Sequence, residues 1–110
     1  MKKLIFFIPA ILLLLVLCIS QTPKTSENET QLAIQKCISL CKQKLAENVS
    51  LANGPCLSNE IIPDWVCDVA HWPRQPIDDL PENQCPAFGK TAHNFVEVNE
   101  TCGFIRVGSI

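Results

Sequence analysis

Hydrophobic and polar residues divide the chain into an apolar leader, a short polar segment and a mixed remainder. Met1-Lys2-Lys3 is basic, Leu4 to Ile19 is almost wholly apolar, and polar residues begin at Ser20. This is the pattern of a secretory signal peptide over residues 1–20. The apolar stretch of 16 residues is shorter than the roughly 20 residues that a membrane-spanning helix needs. The pattern therefore predicts export, and it favours cleavage after Ser20.

Two alternatives to cleavage stay open. Residues 4–19 could remain in the membrane as an uncleaved anchor, which is the one membrane contact that the sequence leaves room for. Cys18 could instead be lipid-modified, although Leu17 is bulkier than the small residue that should precede such a cysteine. In all three cases the rest of the chain is expected to be secreted or extracytoplasmic.

The polar segment that follows the leader predicts a flexible stalk. Residues 21–30 (QTPKTSENET) contain no side chain that would seed a core, so burial cannot offset the entropy of ordering them. The remaining residues, 31–110, are predicted to form one disulfide-rich domain, because the segment is too short for two domains.

The first regular element of this domain is an amphipathic helix over Gln31–Asn48. Apolar residues recur at three- and four-residue steps between Gln, Lys and Glu, namely Leu32, Ile34, Ile38, Leu40, Cys41 and Leu45. Cys37 and Cys41 are four residues apart and share one helix face. They are therefore expected to bond two separate partners, while the rest of the pairing stays open.

A second, shorter helix is predicted from Asp64 to about His71. Pro63-Asp64 looks like a helix start, and Trp65, Val69 and Trp72 follow at helical spacing. Cys67 lies near the inner side of this predicted helix, so a bond from it to the first helix is expected.

The rest of the domain is predicted to form a loop followed by two strands. Residues 71–86 carry four prolines, which predicts an irregular, stiff loop. The β-rich runs 93–98 and 103–107 flank Asn99-Glu100-Thr101-Cys102 and predict a C-terminal β-hairpin. The expected fold class is therefore α+β: an N-terminal helix, a short second helix, a Pro-rich loop and a hairpin.

Cysteine usage supports an oxidising compartment. Seven cysteines occur, and one of them, Cys18, lies in the leader. The other six form an even set without the C-x2-C spacing of zinc or redox centres. We therefore expect structural disulfides from Cys37, Cys41, Cys56, Cys67, Cys85 and Cys102.

Charge excludes two classes of partner. Without Lys2 and Lys3, seven basic side chains face eleven acidic ones, so the exported chain is acidic. An acidic chain without a basic cluster does not attract phosphate backbones, so no nucleic acid is expected. Electrostatic adhesion to an anionic membrane surface is disfavoured for the same reason. No nucleophile elbow or phosphate-binding loop is present, and no cofactor is predicted.

Three N-x-S/T sequons are candidates for N-glycosylation. They begin at Asn28 in the predicted stalk, Asn48 at the predicted helix end and Asn99 in the predicted hairpin turn. These positions are all expected to face solvent.

An enzymatic site would have to be assembled from a small set of histidines and carboxylates: Asp64, Asp68, His71, His93, Glu97 and Glu100. Asp68 and His71 could meet on the second helix. If the hairpin packs on that helix, His93 and Glu97 could join Asp68. The alternative function is therefore a small metal-dependent or hydrolytic enzyme using His71 and His93. An Asp–His pair on a helix surface is more often a local salt bridge.

The residues that resemble a binding hot spot are Trp65, Trp72 and Arg74. Both tryptophans could instead fill the core of a domain with few aromatic residues, with Trp72 the more exposed of the two. The favoured function is an exported, disulfide-stabilised binding module for an unknown extracellular protein or surface ligand. A thiol–disulfide catalyst using Cys37 and Cys41 is a third hypothesis, and it predicts one exposed, easily reduced bond.

Overall fold

The computed structural model describes residues 25–110. The predicted signal peptide and residues 21–24 of the predicted stalk lie outside the described residues. Within residues 25–110, helix α1 (Thr25–Ala46) precedes strands β1 (Cys56–Ile62), β2 (Trp65–Val69), β3 (Asn94–Val98) and β4 (Phe104–Ser109). Two 3₁₀ turns, Pro76–Asp79 and Pro81–Asn83, lie between β2 and β3. The predicted α+β class is confirmed.

Helix α1 begins at Thr25 rather than at Gln31, so residues 25–30, assigned above to a flexible stalk, form its first turns. Glu27 in the first turn is favourable to the helix dipole. Glu29 accepts a hydrogen bond of 3.3 Å from the indole Nε1 of Trp65. The polar start of the helix is therefore tied to the sheet through a contact that composition alone does not reveal.

The end of α1 is a Schellman motif at Asn48. Asn48 has a φ of 61°, in the left-handed region that asparagine tolerates. Its N–H donates to the carbonyl of Leu45, and the N–H of Val49 donates to that of Lys44. These bonds satisfy the last carbonyls of the helix and turn the chain toward the sheet.

The four strands form one sheet in the order β1-β2-β3-β4. Outer pairs β1–β2 and β3–β4 are antiparallel, whereas the central strands β2 and β3 are parallel. The predicted C-terminal hairpin, now β3–β4, is confirmed. Parallel strands cannot be joined by a tight turn. The Pro-rich segment between β2 and β3, residues 70–93, makes this crossover.

The predicted second helix is wrong, because residues 65–69 form β2. Pro63-Asp64 is the turn of a β1–β2 hairpin in which Ile62 pairs with Trp65. Asp64 has a φ of 74°, and Pro followed by a positive-φ residue is the requirement of a type II turn. All five residues of β2 are buried. A strand buried on both faces shows no polar alternation, so its spacing of large residues resembled a helix.

Helix α1 covers one face of the sheet. The side of the helix against the sheet is made of small residues at four-residue steps, Ala33, Cys37 and Cys41, all fully buried. Leu32 and Leu45, which the periodicity assigned to the buried face, are 45% and 40% exposed. On the sheet, the residues of this core are Ile62, Trp65, Cys67, Val69, Val96 and Val98.

The crossover loop covers the other face of the sheet. The smaller core on this side contains Val66, Cys85 and Ala92, with Phe88 and Phe95 packed against them. The rings of Phe88 and Phe95 meet edge to face, with centroids 5.3 Å apart. The sheet is therefore enclosed by a helix on one side and by an irregular loop on the other.

Three disulfides fasten these layers. Cys37–Cys67 and Cys41–Cys102 join α1 to β2 and to the β3–β4 turn. Cys56–Cys85 joins β1 to the crossover loop on the opposite face. The expectation that Cys37 and Cys41 bond separate partners is confirmed, as is the expected bond between Cys67 and the first helix.

Reducing these bonds is expected to unfold the domain. They close segments of 30, 61 and 29 residues, and chain entropy assigns each a stabilisation of about 4 kcal/mol. Burial and conformational entropy nearly cancel at this size, so the disulfides decide the balance. Thermal melts of oxidised and of reduced, alkylated protein, followed by circular dichroism, test this. A cooperative transition in the alkylated protein would contradict it.

Candidate functional site

The crossover loop is held in place by the buried carboxylate of Asp78. Asp78 is 2% exposed and lies in the first 3₁₀ turn. Its Oδ2 accepts hydrogen bonds from the backbone N–H groups of His71 and Gln75, at 3.0 and 2.9 Å, and its Oδ1 accepts from His71 Nδ1 at 2.9 Å. Burial opposes ionisation of Asp78, but the bonds from Gln75 and His71 outweigh it and lower its pKa.

Gly54 leaves the space that Asp78 occupies. Gly54 has a φ of 68°, and a Cβ at this position would lie 2.5 Å from Asp78 Oδ1 and 3.0 Å from the carbonyl oxygen of Val69. A side chain here would be strained by its backbone angle and would also push the carboxylate away. The glycine of the Asn53-Gly54-Pro55 turn thus leaves room for the Asp78 side chain of the crossover loop.

Glu97 of β3 connects the crossover loop to β4. It is 5% exposed, and each carboxylate oxygen accepts one charge-assisted hydrogen bond. Arg74 of the loop donates through Nη1 at 2.9 Å, and Arg106 of β4 donates through Nε at 2.7 Å. Arg74 also donates to Asp79 at 2.9 Å. The Arg106 guanidinium stacks 5.0 Å above the centre of the Phe95 ring.

A cavity lies between the loop and this face of the sheet, and we name it the loop pocket. Its volume is about 120 Å³. The apolar part of its wall comes from Val66, Phe88, Phe95 and Cys85, and the polar part from Asp68, Glu97, Arg74, Arg106 and Gln84. The pocket thus joins aromatic surface to a dense group of charged side chains.

Asp68 is the member of the loop pocket whose bonding is incomplete. It is 8% exposed, and among residues 25–110 its buried Oδ1 has no hydrogen-bond partner. Burial and, to a smaller extent, the neighbouring Glu97 carboxylate, its partner in the β2–β3 register, raise the pKa of Asp68 to about 8, although Arg74 opposes this shift. At neutral pH Asp68 is therefore mostly a neutral acid.

The predicted histidine site is not assembled. His71 follows the carboxyl end of β2, whereas His93 precedes β3 and lies beside Asp64 at the other end of the parallel pair. Five paired strand residues separate these ends, about 16 Å at the usual rise. Asp68 lies in a strand and does not meet His71 on a helix. Across residues 25–110, no cluster of three or more His, Cys, Asp or Glu side chains suits a metal ion.

Each histidine instead has its own carboxylate partners. His93 Nδ1 contacts Asp64 Oδ1 at 2.6 Å on the exposed surface, and this bond lowers the pKa of Asp64. His71 lies between the buried Asp78 and the exposed Glu100, whose Oε2 is 3.7 Å from His71 Nε2. Both arrangements fasten a loop end to the sheet.

The three predicted binding residues have different environments. Trp65 is 6% exposed and belongs to the core beneath α1, so it is not part of a contact surface. Arg74 is exposed, but its guanidinium is bonded to Glu97 and Asp79. Trp72 is 72% exposed. The candidate surface is thereby reduced to Trp72 and the outer edge of Arg74.

The disulfide pairing does not support the hypothesis of a thiol–disulfide catalyst. Cys37 and Cys41 are fully buried and bonded to Cys67 and Cys102 rather than to each other. No exposed dithiol pair is left on that helix face.

The sequons differ in exposure. Asn28 and Asn48 are exposed on α1 and at its end. Asn99 is only partly exposed, and its Oδ1 accepts three hydrogen bonds, from Thr101 N, Thr101 Oγ1 and Gly103 N. Asn99 thus closes the β3–β4 turn, and glycosylation stays a prediction at all three positions.

Neither Asp78 nor Arg106 was among the candidate residues predicted from the sequence. Both are central to the site. For Asp78, the only signals in the sequence were the Asn53-Gly54-Pro55 turn and the position of Asp78 between two prolines. The contact between Gly54 and Asp78 joins residues more than 20 positions apart, and it forms only because the crossover loop returns to this turn. For Arg106, the alternation of the hairpin places Phe95, Glu97 and Arg106 on one face, which the register confirms.

Comparisons with protein-family models, with curated proteins and with solved structures find no match to this chain. In the part of the chain from Thr25 onward, none of the helical structure has the length and apolar character of a membrane span.

The state of Asp68 predicts a dependence of stability on pH. Between its ordinary pKa of 3.8 and about 8, the folded protein holds a proton that the unfolded chain has released. Stability therefore decreases as pH rises from about 4 to about 8. Relative to Asp68→Asn, the free energy of unfolding of the wild type is expected to fall by on the order of 1 kcal/mol per pH unit in this range. Asp64 and Asp78, whose pKa values are lowered, affect stability only at more acidic pH.

Urea unfolding of both proteins at pH 5, 6.5 and 8 measures this difference. Glu82→Gln, which removes an exposed carboxylate from the same loop, is the control and should follow the wild type. Parallel profiles for the wild type and Asp68→Asn would contradict the burial of a protonated Asp68.

Proposed function

We propose that this protein is an exported, disulfide-stabilised binding module that contacts an extracellular protein or surface ligand through Trp72. The exposure of Trp72 is the observation that carries the proposal. A tryptophan that is 72% exposed leaves a large apolar ring in water, although the domain has a core that accommodates Trp65. Tryptophan is the residue type most enriched at binding hot spots.

The loop that presents Trp72 is fixed before any partner arrives. His71, directly before it, is bonded through its backbone and its ring to Asp78. Arg74, two residues after it, is bonded to Glu97 and Asp79. A side chain displayed from a rigid backbone loses little conformational entropy on binding, which favours affinity.

Export is supported by two independent features. The apolar leader has the pattern of a secretory signal, and the six later cysteines are all paired in disulfides. Disulfides of this kind persist in oxidising compartments. The hydrolytic alternative has no comparable support, because His71 and His93 lie at opposite ends of the parallel strands.

Substitution of the two tryptophans separates a contact residue from a core residue. Trp65→Ala is expected to lower the free energy of unfolding by about 3–5 kcal/mol, because it empties a buried site. Trp72→Ala is expected to change it by less than about 0.5 kcal/mol, because the ring is exposed. Urea denaturation of the oxidised variants measures both. A loss for Trp72→Ala comparable to that for Trp65→Ala would make Trp72 structural.

Photo-crosslinking from position 72 tests the contact itself. The full chain, produced in its own source cells with a benzophenone amino acid in place of Trp72, is expected to give one discrete adduct at the cell surface or in the medium. The same amino acid at Leu45, an exposed apolar position on α1, is the control and should give none. No adduct above that control would refute the contact, and retention of the chain in the cytoplasm would refute export.

A further inference from the structure

The loop pocket carries an inference that goes beyond the Trp72 surface. It contains a carboxyl oxygen, Asp68 Oδ1, which has no hydrogen-bond partner within residues 25–110 although the side chain is more than nine-tenths buried. A buried acceptor without a donor is expensive, and such groups in folded proteins usually have a partner. The loop pocket beside Asp68 has room for a ligand that supplies the missing donor.

We propose that the loop pocket binds a primary ammonium group on a short aliphatic chain, with an ammonium N–H donating to Asp68 Oδ1 and the methylene groups packing on Phe88, Phe95 and Val66.

Size limits the ligand to a few atoms. A cavity of about 120 Å³ is somewhat smaller than the roughly 150 Å³ cavity that accommodates benzene. A chain of three or four carbons with one nitrogen fits this volume. Larger groups could enter only with one end, as the side chain of a lysine does.

Charge favours a cation over an anion. Glu97 and Asp78 are the carboxylates that act on Asp68, and Arg74 is the opposing guanidinium. Arg106 on β4 is directed at Glu97, and β1 contributes only the neutral Cys56 as the register partner of Asp68. Because both arginines already donate to Glu97, an entering anion would have to displace that carboxylate. An ammonium ion meets a carboxyl oxygen that has no partner and that becomes a free acceptor once Asp68 loses its proton.

Proton exchange balances the charge of the bound state. In the unliganded pocket Asp68 is protonated, and Glu97 is paired with Arg74 and Arg106. When the ammonium enters, the Asp68 proton leaves to solvent and the ligand supplies the positive charge in its place. The net charge of the pocket does not change, so no uncompensated charge is buried.

The experiment titrates the oxidised full chain with n-butylammonium chloride and follows backbone amide shifts of β2 and β3 by NMR. Saturable shifts are expected at residues 66–68 and 95–97. Because binding releases one proton, the apparent Kd should fall about tenfold per pH unit between pH 6 and pH 8 and then level off. No saturable shift at pH 8 would overturn the proposal.

Two further probes resolve which property of the ligand matters. Butyramide keeps an N–H donor without the charge, and butyltrimethylammonium keeps the charge without an N–H. Each is expected to bind at least tenfold more weakly than n-butylammonium at pH 8. Equal binding of butyramide, or a Kd for n-butylammonium that does not vary with pH, would overturn the proposed ion exchange.

The substitution Asp68→Asn should weaken the binding of n-butylammonium at least tenfold and abolish the pH dependence of its Kd. The melting temperature of the variant checks that it is folded. Glu82→Gln, an exposed carboxylate of the same loop, should bind as the wild type does. Equal affinity of Asp68→Asn and the wild type would refute the role of Asp68.

A comparison with acetyl-Gly-Lys-Gly-amide assigns the source of the ammonium. Tighter binding of the peptide indicates a lysine side chain of a partner, and tighter binding of n-butylammonium indicates a free small amine. Trp72 is not among the residues that line the pocket, so this titration and the crosslinking experiment succeed or fail independently.

Discussion

The burial of β2 on both faces is the constraint on which the rest of the structure depends. A five-residue strand beside a parallel partner must be covered twice, once by α1 and once by the crossover that the parallel connection requires. The crossover here is a Pro-rich loop rather than a helix, so its turns satisfy only part of its backbone groups. It depends also on Asp78, on the bonds between Arg74 and Glu97, and on the Cys56–Cys85 disulfide.

This arrangement explains why charged groups are buried in so small a domain. A loop fastened by carboxylates brings those carboxylates against the sheet, and Asp68 and Glu97 face them from adjacent strands. Glu97 is compensated by two guanidinium groups, whereas Asp68 is compensated by a proton. The rigidity of the loop and the unusual state of Asp68 thus have one origin. They also underlie the two proposed binding features, the exposed ring of Trp72 and the charged loop pocket.

Elements that show a clear hydrophobic periodicity and depend on residues close together in the chain could be predicted from the sequence. Helix α1, the β3–β4 hairpin and the separate partners of Cys37 and Cys41 follow from spacing within a few turns of chain. Strand β2 could not, because burial on both faces removes the alternation that identifies strands, and Trp65 and Val69 happen to lie at helical spacing. The loop pocket could not be predicted either, since it joins residues from β2, β3, β4 and the crossover. The prediction that Trp72 is more exposed than Trp65 is confirmed, but the burial of Trp65 beneath α1 could be seen only in the fold.

A direct titration of the Asp68 side chain tests the central claim, that the disulfide-pinned loop buries a protonated carboxyl against the sheet. The measurement follows the carboxyl ¹³C shift of Asp68 in the oxidised protein from pH 3 to pH 10, assigned by its loss in Asp68→Asn. The structure predicts a midpoint near 8, while Asp64 and Asp78 titrate below their ordinary value of 3.8. An Asp68 midpoint near 3.8 would show that the carboxyl is solvated and that the loop does not enclose this face of the sheet.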